Sequence, residues 1–163
     1  MPTPRPLDPD EELLWRALNR IMAALPRVLE DDLLHSTGLS LHEYAALMNL
    51  SEAENQELRM ADLASATALS ASRITRLVDG LQSRNLALKR RCTEDARGNV
   101  ARLTPEGMKR LEAAYPDHLR SARSRFMDHV DPALTRRMAE VLGRVADSLG
   151  PEADSLGPEA TRP

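Results

Sequence analysis

The stretch from Leu58 to Leu103 constrains this chain more than any other. Its pattern predicts a short helix, a tight turn, a second helix and a basic two-stranded hairpin in immediate succession. Met60-Ala61-Asp62-Leu63-Ala64 opens the short helix, with Leu63 facing inward. Ser70 stands where the second helix needs an N-cap, because its hydroxyl can accept from an orphan backbone N–H. Leu69 and Ile74 have the spacing of a hydrophobic staple around that cap. Ile74, Leu77, Val78 and Leu81 then recur at steps of three and four, which predicts one buried face. The other face carries Ser72, Arg73, Thr75 and Arg76 within its first two turns. Short hydroxyls and guanidinium forks reach base edges and phosphates, and a helix N-terminus favours an anion. Ser70, Ser72, Arg73, Thr75 and Arg76 are therefore the candidate DNA-binding residues of this helix, which is expected to enter a groove.

In the hairpin, Leu86 and Leu88 alternate with other residues, as do Ala101 and Leu103, giving the period of a strand. Asp95 and Arg97-Gly98-Asn99 supply turn chemistry between the strands. Arg97 is expected near the tip, where a narrow minor groove would attract it. Lys89, Arg90 and Arg91 are consecutive, so strand alternation sends them to opposite faces. Arg90 is the member carried forward as a phosphate contact, which would position the protein without reading sequence. Leu58 and Arg59 are expected to add a short third strand.

The formal charge of −3 argues against a DNA partner until its distribution is considered. Residues 1–58 carry a net −7, residues 59–102 a net +5 and residues 103–163 a net −1. The positive excess thus coincides with the helix and hairpin, as an electrostatic footprint requires. Hydrophobic residues make up 42% of the 163 but aromatics only 2%, so any core must be aliphatic, which suits helices. No apolar run approaches the ~20 residues of a membrane span, and the first residues lack the apolar segment of a signal peptide.

The flanks read as helices. Asp8, Pro9 and Glu11 predict a capped start for a long helix whose apolar stripe is Leu14, Leu18, Ile21, Leu25 and Val28, interrupted and kinked at Pro26. That stripe exceeds what its own domain can cover, which suggests a partner. Ser40-Leu41-His42-Glu43 is a capping box for the next helix, with Tyr44 on its buried side, and residues 51–57 read as a polar loop. Thr104-Pro105 and Asp131-Pro132 each predict a further helix start, the first helix carrying another kink at Pro116 and the second ending at Gly150-Pro151. Ala146 to Glu152 recurs as Ala153 to Glu159, a heptapeptide duplication expected to form a disordered tail.

Residues 58–107 resemble the core of the MarR family of bacterial winged-helix regulators. The likeness rests on Leu58-Arg59-Met60-Ala61-Asp62-Leu63-Ala64, on Leu69 through Asp79, on Asp95-Ala96-Arg97-Gly98 and on Leu103-Thr104-Pro105-Glu106-Gly107. The last two match the family's Asp-x-Arg-Gly wing and Leu-Thr-x-x-Gly helix start. The resemblance implies a mainly α fold: a winged helix-turn-helix domain with a small β-wing, plus N- and C-terminal helices that form a dimerisation region. It divides the chain into a flexible arm (1–7), a helical dimerisation region (8–39 and 104–149), a winged DNA-binding domain (40–103) and a tail (150–163). It implies a homodimeric, sequence-specific transcriptional regulator, a repressor on a pseudo-palindromic operator, released by a small-molecule effector and acting in the bacterial cytoplasm at the nucleoid. Arg97 becomes a wing contact, with Asp95 and Gly98 as wing braces. In a purine-sensing subgroup a Trp of the first helix lines the ligand pocket. Trp15 and Tyr44 are therefore the candidate residues for a small aromatic or purine-like effector, although Ala45 stands where that subgroup carries an acid.

Other chemistries find little support. Lone Cys92 argues against a disulfide framework and leaves a redox-responsive regulator as one alternative. A winged helix used for protein contact without DNA activity is another. His35, His42, His118 and His129 lack the spacing of a zinc site, no cofactor motif is present, and no nucleophile elbow, phosphate loop or catalytic constellation points to an enzyme. The paired acids Asp31 and Asp32 read as helix solvation.

Overall fold

The computed structural model of the protein describes residues 5–91 and 99–149. The fold is mainly helical. Its elements run α1 (Pro9–Thr37), α2 (Leu41–Glu52), β1 (Glu57–Arg59), α3 (Met60–Ala66), α4 (Ala71–Ser83), β2 (Ala87–Arg91), β3 (Asn99–Leu103), α5 (Pro105–Arg125) and α6 (Pro132–Ser148). Single 3-10 turns precede β1 and α6. The strands form an antiparallel sheet in the order β1-β3-β2, with Leu58 opposite Ala101 and Lys89 opposite Ala101 from the other side.

Local chemistry sets the helix starts. Asp8 accepts from the backbone N–H groups of Asp10 and Glu11 while the Glu11 carboxylate receives the Asp8 N–H, a complete capping box. Ser40 and Glu43 repeat it at α2, Thr104 accepts from Gly107 N–H at α5, and Asp131 accepts from Ala133 N–H at α6. Ser70 occupies the N-cap of α4 in extended conformation, but no side-chain cap bond forms there. Its hydroxyl instead lies 3.3 Å from that of Ser72.

α1 runs through Pro26 and α5 through Pro116, each as one continuous helix with the proline inside it, where the sequence places them. Proline removes one backbone donor, and the turns on either side hold the helix together. The expected loop over residues 51–57 is instead the last turn of α2, a 3-10 turn and the start of β1. In the wing, Leu86 is buried but Leu88 is 48% exposed. The helix end explains this. Asn85 adopts φ 58, and Leu86 N–H donates back to Leu81 carbonyl, closing α4 as a Schellman-type turn. The strand proper therefore begins at Ala87, which faces inward and turns Leu88 outward.

The core lies between α2, α3, α4, the inner face of the sheet and α5. Leu33, Leu39, Leu47, Leu50, Leu63, Ile74, Val78 and Leu81 are its fully buried large side chains. α5 is held against the sheet at one point of very close approach. A Cβ on Gly107 would sit 2.0 Å from the Leu86 carbonyl oxygen and 2.8 Å from Leu103 Cδ1. Thr104 Oγ1 also donates to the Asn85 carbonyl at 2.6 Å, so one residue caps α5 and ties down the end of α4.

α1 packs chiefly along α5 through its C-terminal half, where Leu33 is its one buried residue. Leu14, Trp15 and Ile21 of its first half are exposed. α6 has no buried residue, and Leu134, Met138, Val141, Leu142 and Val145 leave an apolar stripe open. No helix among the described residues is long and apolar enough to cross a membrane.

Candidate nucleic-acid interface

α4 is amphipathic in the sense the sequence predicts. Ile74, Val78 and Leu81 are buried, and Leu77 packs partly against the same cluster. Leu69 and Ile74, the staple pair, both lie in that cluster, which fixes the angle at which the chain turns into the helix. Ser70, Ser72, Arg73, Thr75 and Arg76 are all exposed on the outer face of its first half. Thr75 Oγ1 donates to the Ala71 carbonyl at 2.8 Å, and Arg76 Nε donates to the Ser72 carbonyl at 3.3 Å. Arg76 is thus folded back toward the N-terminus of its own helix. The Ser70 carbonyl accepts from Arg73 and Ile74 N–H, and no side-chain cap occupies the N–H groups of Ala71 and Ser72, an arrangement that can accept an anion.

Ion pairs anchor the far end of the helix. Arg84 Nη1 lies 2.9 Å from Glu43 Oε1, and Glu43 uses its other oxygen to accept from Ser40 N–H. The Lys89 ammonium pairs with Asp79, and Lys89 N–H donates to Gln82 Oε1 at 2.8 Å. α4 is therefore clamped to α2 and to β2 through its second half, while its first half stays open.

On the sheet, Arg90 faces outward with Arg59 and Arg102. Its guanidinium forms a forked pair with Glu57, with contacts of 2.6 to 3.0 Å. The two residues come from the outer strands, and Val100 of the middle strand is buried outside the main core, on the face they share. The candidate phosphate contact Arg90 thus already has a carboxylate partner. Neither Arg59, expected only as part of a third strand, nor Arg102 is among the candidate contacts the sequence offers. The signal was there: once β1 is placed in register with β3, alternation puts both on the Arg90 face. Cys92, Asp95, Arg97 and Gly98 lie outside the described residues, as do the start of the arm (1–4) and the tail from residue 150; the first repeat of the heptapeptide begins inside α6, at Ala146 to Ser148, which corrects the expectation of disorder there.

The candidate effector residues are separated. Trp15 stands 53% exposed on the uncovered half of α1. Tyr44 is buried on α2 and stacks on His118 of α5, ring centroids 4.4 Å apart. Neither lines the cleft of about 520 Å³ between α1 and α5, which is formed by residues including Asp31, Asp32, His35, Arg120, Ser121 and Arg125. That cleft corrects the reading of Asp32 as helix solvation. Asp31 is exposed, but Asp32 accepts from Arg125 through both oxygens at 2.9 and 3.0 Å and from Ser121 Oγ at 2.6 Å. These partners, Arg125 first and Ser121 second, lower its pKa to about 2.

Two short helices packed on one core, an exposed basic face on the second and a three-stranded basic wing together define a winged helix-turn-helix protein. Comparison with known proteins narrows the class. The sequence model of the MarR family matches residues 37–98. AbsC, a MarR family transcriptional regulator from Streptomyces coelicolor, is 34% identical with a TM-score of 0.81, over 90% of this chain and 98% of AbsC. The chain belongs to the MarR family of transcriptional regulators. Sco3205 of the same organism and family, solved in complex with DNA, is 29% identical with a TM-score of 0.84, over 90% of this chain and 92% of that one. The transcriptional repressor YetL of Bacillus subtilis (strain 168) is 37% identical over 81 residues, which is 50% of this chain and about half (48%) of YetL.

Proposed function

We propose that this protein is a homodimeric, sequence-specific DNA-binding repressor whose α4 helices enter successive major grooves. The observation that carries this reading is the division of α4. Ile74, Val78 and Leu81 are sealed in the core, while Ser72, Arg73, Thr75 and Arg76 stand exposed on its open first half. The DNA complex of Sco3205 and the repressor description of YetL support the partner and the direction of control. The open apolar stripes of α1 and α6 support a second copy, in keeping with a dimerisation region made of residues 8–39 and 104–149. A two-fold dimer would read a pseudo-palindrome with half-sites about one turn, ~34 Å, apart. Arg97 at the wing tip would reach an adjacent minor groove, braced by Asp95 and Gly98. A small-molecule effector, aromatic or purine-like if Trp15 and Tyr44 share a site in the dimer, would act by favouring a helix spacing that fits DNA poorly.

The test is binding to a duplex selected by the protein from random-sequence DNA. Arg73→Ala and Arg76→Ala should each weaken specific binding roughly tenfold or more by loss of a base or phosphate contact, with the dimer intact. Equal affinity of both variants and the unmodified protein would remove α4 from the interface.

A further inference from the structure

Asp79 is out of place on a surface meant for DNA. It lies seven residues after Ser72 and three after Arg76, so the helical repeat sets all three on one outward stripe of α4. A free carboxylate there would repel phosphate. It would also be a ready i,i+3 partner for the Arg76 fork. Neither happens here. The Asp79 carboxylate is turned to the Lys89 ammonium on β2, and Arg76 Nε is turned the other way, to the Ser72 carbonyl. Lys89 is well placed for this task. It sits on the inner face of the strand opposite Ala101, and its own N–H is fixed by Gln82 of the same helix. Its side chain is only 26% exposed, whereas Asp79 is 52% exposed. The wing lysine is thus directed at the helix rather than outward.

We propose that Lys89 is a positioning residue that occupies Asp79 and so keeps the Arg76 guanidinium free for DNA. This rests on the DNA-binding reading above. It assigns to the wing a role inside its own domain: neutralising the one acid on the α4 stripe. Lys89 itself touches neither base nor phosphate.

Three variants test this on a duplex selected by the unmodified protein, with affinity followed against salt. Lys89→Gln should weaken binding roughly threefold to tenfold, as Asp79 captures Arg76 in each subunit. Asp79→Asn should bind at least as tightly as the unmodified protein. The double variant, Lys89→Gln with Asp79→Asn, should recover to within about twofold of it and keep its salt slope. A double variant as weak as Lys89→Gln alone, with a slope reduced by about one, would make Lys89 a phosphate contact and overturn the proposal while leaving the DNA-binding reading intact. Equal affinity of all three variants would overturn it as well. Absence of salt-dependent binding by the unmodified protein would overturn both. Thermal melts of each variant guard against unfolding, which the exposure of the pair makes a minor effect.

Discussion

The winged core and the outer helices differ in how much of their apolar surface one chain covers. Between Leu39 and Ala114 almost every aliphatic side chain predicted to face inward is buried, and α4 and α5 are pinned by Thr104, Glu43 and Lys89. In α6 no residue is buried, and the first half of α1 exposes Leu13, Leu14, Trp15, Ile21 and Met22. The outer helices carry side-chain caps, which α3 and α4 of the core lack, and their apolar stripes are clear. A cap and a stripe therefore establish that a helix forms and which face seeks cover, but not whether the cover comes from the same chain. The core is complete in one copy; the outer helices are amphipathic without a partner inside it.

The sharpest challenge to this contrast is at Gly107. Alanine there meets the Leu86 backbone carbonyl, which cannot yield as a side chain would. Gly107→Ala should cost about 3 kcal/mol or more of stability by urea unfolding. Easy tolerance would show that α5 is not seated as tightly as the core requires. The next effect belongs to the outer helices. Leu142 is 45% exposed, so Leu142→Glu costs a lone chain little. In a two-fold dimer the change counts twice, and the dissociation constant should rise roughly a hundredfold in sedimentation experiments. The circular dichroism of the winged core should stay the same. An unchanged association state would break the comparison at its other end.

Asp32 offers the smallest and most informative effect, because it joins α1 to α5 where the outer helix meets the core. Its folded pKa of about 2 lies below its usual 3.8, so the carboxylate is the form the fold favours. The resulting stability is present above about pH 4 and is lost as pH falls toward 2. Asp32→Asn should therefore cost up to about 1 kcal/mol at neutral pH, once solvent screening of a partly exposed pair is allowed for. The gap between variant and parent urea midpoints should close below pH 3. A gap that persists unchanged to low pH would show that packing, not the Arg125 and Ser121 bonds, holds α1 in place.

Much of this is legible in the sequence because the deciding interactions span five residues or fewer. The capping boxes at Asp8 and Ser40, the staple of Leu69 and Ile74, and the exposed row of Ser72, Arg73, Thr75 and Arg76 all depend on near neighbours. Leu88 departs from strand alternation because the left-handed turn that ends α4, at Asn85, sets the phase of β2. Asp32 is not legible from its neighbours because its partner Arg125 lies 93 residues away.

Composition, periodicity and caps thus determined by themselves that this chain forms a small wing among helices, and which helix face stays polar. Tertiary structure alone decided that Gly107 admits no side chain, that Arg90 is held by Glu57, and that Lys89 answers Asp79. The reason is physical. Helix and turn preferences are local free energies, written residue by residue. Close approach and charge pairing depend on which distant segments packing brings within a few ångströms.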